Sequence, residues 1–240
     1  MPKRILLLGD IHANFPALAA IDRHAEAAGF DLILNSGDST VFAPFPNETL
    51  DWLREHRVVS ILGNTDRKVL KLLRGKSLDK PKKTEKRIMY TWTAEQLTPE
   101  NRLYLASFTT RKLLAIEGWR LGLFHGSPDD DDEFLFPDTP EERFRELVAK
   151  SGSDIVIIGH SHTPFHKKIG KVHFINPGSV GRMFDGNPDT SFATLELSPG
   201  RVRVELHRCP YPVDEIVAGL RSNRLPALYE EMYRTGRKLN

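Results

Sequence analysis

The 240-residue chain has a single cysteine, Cys209, so it can form no internal disulfide, and nothing in it suggests an oxidising compartment. Long hydrophobic runs are also missing. The N-terminal apolar stretch, residues 5–8, gives way to Gly9 and Asp10. That is far short of the roughly 20 apolar residues of a membrane span and too short for a signal-peptide core. A cytoplasmic protein without membrane contact is therefore expected. Nor is there an excess of one charge: 34 Lys and Arg stand against 32 Asp and Glu, a formal net charge of +2. This balance argues against a polyanion-binding surface and against specific nucleic-acid binding. No repeat of fixed period is present, and nothing in the sequence speaks to oligomeric state. One good core suffices at this length, and a single domain over residues 1–240 is expected.

What is present is a recurring unit. Residues 5–8 are apolar without alternation, which suits a strand buried on both faces, and Asp10 and His12 follow at once. Two apart on an extended turn, they point the same way, so a carboxylate and an imidazole meet at the end of the strand, where ligands sit in open α/β sheets. A lone Asp-x-His is more often a helix cap beside a surface histidine. Residues 17–28, with Leu18, Ile21 and Ala25 on one face, read as a helix starting near Pro16 and stopped by Gly29. A second buried strand, 32–34, ends in Asn35-Ser36-Gly37-Asp38. Asn47 reads as the cap of a helix reaching His56, and a third strand, 58–62, ends in Gly63-Asn64-Thr65-Asp66. Three strands in succession finish in Gly with Asp or Asn, and that repetition argues against the cap reading.

Further on, residues 68–73 read as a short helix, 88–92 as a strand and 98–107 as a helix with Pro99 in its first turn. Residues 112–116 and 119–124 flank Glu117-Gly118, a hairpin turn whose second arm delivers His125. A helix at 139–150 precedes an apolar strand at 154–158 that ends in Gly159-His160-Ser161-His162. Hairpins at 165–175 and 191–207 and helices at 213–220 and 226–233 complete the chain. Buried parallel strands early and hairpins later predict an α/β fold with a mixed sheet or two packed sheets and helices outside. Two charged runs stand apart. Residues 74–87 carry seven basic side chains and read as a solvated loop, with a substrate-facing lid or phosphate-steering arm as the alternative. Residues 129–133 are consecutive acids that repel one another, and they read as a solvated loop rather than a metal site.

Together the strand ends present Asp10, His12, Asp38, Asn64, His125, His160 and His162. These oxygen and nitrogen donors, with no thiolate among them, suit divalent Mn, Fe, Co, Ni or Zn. Seven are too many for one tetrahedral site and about right for two ions sharing a carboxylate, roughly 3.5 to 4 Å apart in hydrolytic pairs.

In order, Asp10-Ile11-His12, Gly37-Asp38, Gly63-Asn64, His125 and Gly159-His160-Ser161-His162 resemble the five motif blocks of the calcineurin-like metallophosphoesterases. Asn14 and the segment Asn176-Pro177-Gly178-Ser179-Val180 are similar to the small prokaryotic, phosphodiesterase-like branch. The resemblance implies a two-sheet β-sandwich of mixed sheets flanked by helices, in four αββα layers. It implies a metal-dependent phosphoesterase, first of all a phosphodiesterase, with two divalent metal ions, Mn²⁺ foremost. One ion would take Asp10, His12, Asp38 and His162, and the other Asp38, Asn64, His125 and His160. Asp38 would bridge, and Asp38, Asn64 and His125 would be catalytic. Two dications, two carboxylates and a hydroxide leave about +1 to face a phosphate, and that hydroxide would attack phosphorus in line. The expected partner is a small-molecule phosphate ester, with a nucleotide among the candidates.

One position departs from the pattern. Where many relatives carry a histidine after Gly-Asn that protonates the leaving oxygen, this chain has Thr65, which leaves Asp66 without the partner it would support. General acid catalysis is worth roughly 10² to 10⁴-fold, so phosphodiesters or activated esters should be preferred over alkyl monoesters. His166 is a substitute donor only if it does not face solvent. Asn14, Asp66, Arg67, His166 and Arg182 are candidate substrate contacts, although Asn14 also reads as a helix cap and Arg67 and Arg182 as solvated arginines. Gly178 and Ser179 shape a turn rather than supply a nucleophile. The competing class is a non-catalytic, metal-binding protein-interaction scaffold on the same fold, and the basic run leaves a nuclease as a third.

Overall fold

A computed structural model describes residues 2–26 and 29–240. Its strands are β1 (Lys3–Leu8), β2 (Leu32–Asn35), β3 (Val59–Ser60), β4 (Lys112–Ile116), β5 (Trp119–Leu123), β6 (Ile155–Ile157), β7 (Phe165–Ile169), β8 (Val172–Asn176), β9 (Thr190–Ser198) and β10 (Arg201–Cys209). They form two five-stranded sheets, ordered β10-β9-β1-β2-β3 and β4-β5-β6-β8-β7. Both are mixed: β1 pairs in parallel with β2 and antiparallel with β9, while β6 runs parallel to both β5 and β8. The turn at Glu117 and Gly118 has φ of 51° and 82°, the left-handed pair that a tight hairpin requires.

Side-chain alternation explains why the strands read as unbroken apolar runs. Ile5 and Leu7 of β1 and Ile155 and Ile157 of β6 meet between the sheets with Leu34, Leu121, Leu123, Ile175 and Leu195. Their neighbours Leu6 and Leu8, and Val156 and Ile158, point outward to two further apolar layers, so both faces of each strand are buried. Helices cover both outer faces: α1 (Phe15–Glu26), α2 (Pro46–Glu55), α3 (Asn64–Leu73), α4 (Thr84–Gln96), α5 (Pro99–Ala106), α6 (Glu141–Ser151), α7 (Val213–Ser222) and α8 (Leu228–Thr235). Phe144 and Leu147 of α6 pack on Val156 and Phe174, while residues of the other helices join the layer outside β1. The result is the expected αββα sandwich. No helix among the described residues is long and apolar enough to cross a membrane.

Four local expectations are corrected. The strand expected at 88–92 is the middle of α4. Ile88, Tyr90 and Trp92 favour strands, but Met89, Tyr90, Thr93 and Ala94 are the buried set, at helical spacing, and burial overrides intrinsic preference. The last residues of the basic run, 84–87, therefore open a helix, and Lys80, Lys82 and Lys86 line the main cavity, so the run is not simply solvated. Asn47 does not cap α2. It lies inside that helix and cross-links it to α5, accepting from Thr98 N (3.0 Å) and Asn101 Nδ2 (3.1 Å). Helix α3 begins at Asn64 rather than 68, which places that residue at the open N-terminal turn. The expected helix end at 27–28 and the side chain of Ala25 lie outside the described residues.

Candidate functional site

Each strand that ends near the site delivers its polar residues within a few positions: β1 Asp10 and His12, β2 Asp38, β3 Asn64, β5 His125, and β6 His160 and His162. The backbone then turns sharply. Asp10 (φ 50°), His12 (52°), Asp38 (54°), His160 (66°) and His162 (56°) all occupy the left-handed region, as do Val41 (71°) and Phe42 (84°) in the loop after Asp38. For side chains of this size such backbone costs on the order of 1–3 kcal/mol per residue unless its surroundings hold it. Here the loops are sewn together: Asp10 N donates to Gly37 O (3.0 Å), His12 N to Asp38 O (2.8 Å) and Gly181 N to Asp10 O (3.0 Å). Gly63 is required because a Cβ there would overlap the Asp38 carboxylate. Ser179 is buried and donates its hydroxyl to Asp10 O (2.7 Å), so it supports the first loop and offers no nucleophile.

Two groups of three donors converge: Asp10 with His12 and His162, and Asp38 with His125 and His160. His12 Nε2 lies 3.1 Å from His162 Nε2, and His125 Nε2 lies 3.1 Å from His160 Nδ1. On the far side of each ring, His12 Nδ1 faces Thr40 O (3.4 Å), His162 Nδ1 faces Arg182 O (2.5 Å) and His125 Nδ1 faces Ser36 O (2.9 Å). Carbonyls accept only, so these Nδ1 atoms carry the protons; the Nε2 lone pairs of His12 and His162 then point at one another, and that of His125 points at His160 Nδ1. Asp38 sits between the groups, Oδ2 3.8 Å from His12 Nε2 and Oδ1 3.6 Å from His125 Nε2. Asp10 Oδ1 is buried with no hydrogen-bond partner, 3.4 Å from His162 Nε2. Asn64 Oδ1 faces His125 Nε2 at 3.1 Å. Turning the amide over would let its nitrogen donate to Asp38 Oδ2 (3.1 Å); a cation among these acceptors favours the oxygen-inward orientation. Facing lone pairs and an orphaned carboxylate oxygen fit divalent cations and little else.

Electrostatics points the same way. Burial, then the Asp38 charge, pushes Asp10 well above the usual carboxylate range, and burial raises Asp38. Burial pulls His125 down to about 4 and, with His125 beside it, His160 to about 4; His12 and His162 are also lowered, chiefly by burial. The neutral imidazole is the form that ligates metal, and two carboxyls raised by burial and crowding are the groups that a cation placed between them would return to the ionised form.

Of the expected substrate contacts, most have other tasks. Asn14 is fully buried, accepts from Ala17 N (3.1 Å) and donates to Gly181 O (3.1 Å), so it caps α1 and ties down the opposite loop. Asp66 is buried and accepts from Ser39 N, Thr40 N, Thr40 Oγ1 and Gly63 N; it joins the loops that carry Asp38 and Asn64. Arg67 pairs with Asp131 (3.0 Å) and Asp132 (2.8 Å), and Arg143 pairs with Asp129 and Glu133. Four of the five acids of the run are thus paired with basic side chains, Lys150 joining Arg143 at Asp129. His166, exposed on β7, bonds the buried His173 of β8 (2.8 Å) and does not line the cavity. Thr65 donates its N–H to Asp38 Oδ1 (2.8 Å) and its hydroxyl to Thr40 O (3.3 Å). Arg182, expected in solvent, is buried and lines the cavity.

That cavity, about 720 Å³, opens over His12, Asp38, Asn64, His160 and His162. Residues with no sequence motif make its walls: Phe42, Tyr90, Phe134 and Phe136, with Lys68, Lys86 and Lys238. Phe134 stacks on His160 (4.0 Å between centroids) and Phe184 on His162 (4.6 Å). Two of the wall residues had a signal in the sequence: Lys68, one helical turn after Asn64, and Lys86, within the basic run.

A calcineurin-like phosphoesterase superfamily domain model matches residues 4–200. The protein MJ0912 of Methanocaldococcus jannaschii is 30% identical, over 97% of this chain and 98% of its own. Phosphodiesterase YfcE of Escherichia coli is 24% identical over 80% of this chain and 87% of its own. The crystal structure of a metallophosphoesterase from Sphaerobacter thermophilus superposes with a TM-score of 0.81 at 25% identity, covering 98% of this chain and 100% of that one.

Proposed function

The chain belongs to the calcineurin-like phosphoesterase superfamily, and from that premise we propose that it is a metal-dependent phosphodiesterase whose hydrolytic centre is the strand-end cluster. The observation that carries this reading is the pair of buried donor groups, with His12 and His162 presenting lone pairs to each other at 3.1 Å and Asp10 Oδ1 left without a partner. One cation would be held by Asp10, His12, Asp38 and His162 and a second by Asp38, Asn64, His125 and His160. Divalent cations there supply positive charge to a phosphoryl group and lower the pKa of water toward neutrality.

The chain's own residues shape the rest. The Thr65 N–H fixes one Asp38 oxygen, so the shared carboxylate cannot rotate freely. Thr65 gives the leaving oxygen no proton, because its hydroxyl already donates to Thr40 O and threonine does not ionise near neutral pH. The leaving group must therefore depart as a stable anion, which favours aryl or otherwise activated diesters. Lys68, at the cavity wall, adds positive charge beside Asn64. Phe134, half exposed over His160, offers a flat apolar face to an aryl group or nucleobase, and a nucleotide diester fits that face.

Mn²⁺-loaded protein is expected to hydrolyse bis(p-nitrophenyl) phosphate and to act at least about 10²-fold more slowly on a dialkyl phosphate. Asp38→Ala should lose more than the roughly 10- to 100-fold that removal of a ligand-supporting group costs, and should bind less than its full complement of Mn²⁺. Wild-type protein that holds both ions and turns over neither ester would refute catalysis. If it also captured a protein partner in fixed stoichiometry, the scaffold reading would replace it.

A further inference from the structure

Arg182 is a buried cation without an anion. Its main chain is pinned, with N donating to Ser179 Oγ (2.7 Å) and O accepting from His162 Nδ1 (2.5 Å). The side chain is 8% exposed, lies 3.9 Å over the Phe42 ring and is flanked by Phe184 (5.3 Å) and Tyr229 (5.5 Å). No carboxylate pairs with it among the described residues, its Nε has no hydrogen-bond partner, and a long contact from Nη2 to Met232 Sδ (3.6 Å) is a poor substitute. Three aromatic faces offset part of the cost of burying the charge, but a guanidinium carries five N–H donors that ring faces do not satisfy. Its neighbours make matters worse. Lys86 and Lys238 line the same wall, and burial followed by the charges of Arg182 and Lys238 holds the Lys86 ammonium down to about 8.

We propose that Arg182, with Lys86 and Lys238, forms a second oxyanion subsite, so that the substrate is a phosphodiester carrying a further phosphate beyond the one hydrolysed. This rests on the phosphodiesterase reading above. The scissile phosphate belongs with the donor cluster, whereas the contacts of the Arg182 guanidinium are with Phe42, Phe184, Tyr229 and Met232 and include no hydrogen bond to any of the seven donors; Phe42, 3.9 Å from the guanidinium, also meets the His12 ring at 5.2 Å. An anion seated on Arg182 is therefore a different group from the one at the metals. Phosphate suits the site because the planar guanidinium fork pairs with two oxygens at once and the two ammonium groups match its remaining charge.

Two measurements test this, the first without metal or turnover. Calorimetric titration of EDTA-treated protein with inorganic pyrophosphate should show binding that weakens at least about tenfold in Arg182→Met. In the absence of pyrophosphate, Arg182→Met should melt no lower than wild type, because an unpaired buried charge has been removed; Arg182→Lys should retain part of the binding. In the second, Mn²⁺-loaded protein is given thymidine 5′-(p-nitrophenyl phosphate) with and without a 3′-phosphate. The 3′-phosphate should raise kcat/KM about tenfold in wild type, and this ratio should collapse toward one in Arg182→Met. Equal pyrophosphate binding by wild type and Arg182→Met, or a ratio near one in an active wild type, overturns the subsite. Intact Arg182-dependent binding with neither ester hydrolysed supports the subsite and overturns the phosphodiesterase reading instead.

Discussion

The floor beneath the cavity is a cluster of seven side chains that stand at strand ends, five of which (His12, Asp38, Asn64, His160 and His162) line the cavity itself, whereas the walls draw on Phe42, Lys86, Tyr90, Phe134, Arg182 and Lys238, which share neither a strand nor a motif. The floor is held through the backbone. Its loops exchange N–H to C=O bonds, and five of its seven residues sit in left-handed conformations that those bonds enforce. The side chains of the walls are held mainly by packing: Phe134 leans on His160, and the Arg182 guanidinium lies on Phe42. A floor of this kind has little freedom to shift and so suits chemistry that tolerates no change in donor geometry. Walls of this kind can change one residue at a time and so suit the choice of substrate.

On that contrast, the largest effects after loss of one of the seven donors come from residues that hold the floor without being donors themselves. Asp66 accepts four hydrogen bonds, from Ser39 N, Thr40 N, Thr40 Oγ1 and Gly63 N. Asp66→Asn turns one accepting oxygen into a donor facing N–H groups, which should loosen the loops of Asp38 and Asn64 together. Mn²⁺ affinity measured by calorimetry should fall by up to about 100-fold. An affinity within twofold of wild type would show that the floor does not depend on this tie.

Acidification tests the floor as a whole. Burial and the Asp38 charge push Asp66 up to about 6, and Asp10 and Asp38 are raised as well, whereas His125 and His160 lie near 4. A raised carboxyl keeps its proton until the pH climbs through its folded-state value, and an incoming cation must expel that proton. The imidazoles are already neutral above about pH 5 and offer no such competition. Mn²⁺ affinity should therefore drop about tenfold between pH 7.5 and pH 5.5, with the proton release that accompanies binding traced to carboxyls. A loss that begins only near pH 4 would assign it to the imidazoles and break the argument.

The same contrast explains what could be read from the sequence. Strand-end motifs are local: Asp10-Ile11-His12 or Gly159-His160-Ser161-His162 carries its geometry within four residues; apolar runs buried on both faces pointed to a mixed sheet or two packed sheets, and the resemblance carried by those motifs implied the sandwich. Wall residues become neighbours only after packing. Arg182 reads as a solvated arginine because nothing near it in sequence reveals that Phe42 and Tyr229 will close over it. Residues 88–92 read as a strand because Ile, Tyr and Trp prefer strands, and only the contact of α4 with α3 and Phe42 decides otherwise. Asp66, a candidate substrate contact whose usual partner is absent at Thr65, is held instead by three backbone N–H groups and the Thr40 hydroxyl, and no sequence motif displays that set.

The smallest expected effect is at the wall and is the most discriminating. Phe134 is half exposed and stacks on His160 on one side, and its ring runs nearly parallel to that of Phe136 (9°, centroids 6.2 Å apart). Stacking on such a face is worth about 1–3 kcal/mol when the face is fully used, and an exposed ring should yield the lower end of that range. Phe134→Ala should therefore raise KM for an aryl or nucleoside diester by about fivefold, with kcat carrying the lesser part of the loss. Phe134→Tyr should restore KM, because a platform needs only the ring. If kcat falls instead and Mn²⁺ affinity falls with it, Phe134 acts by bracing His160, and the ring belongs to the floor.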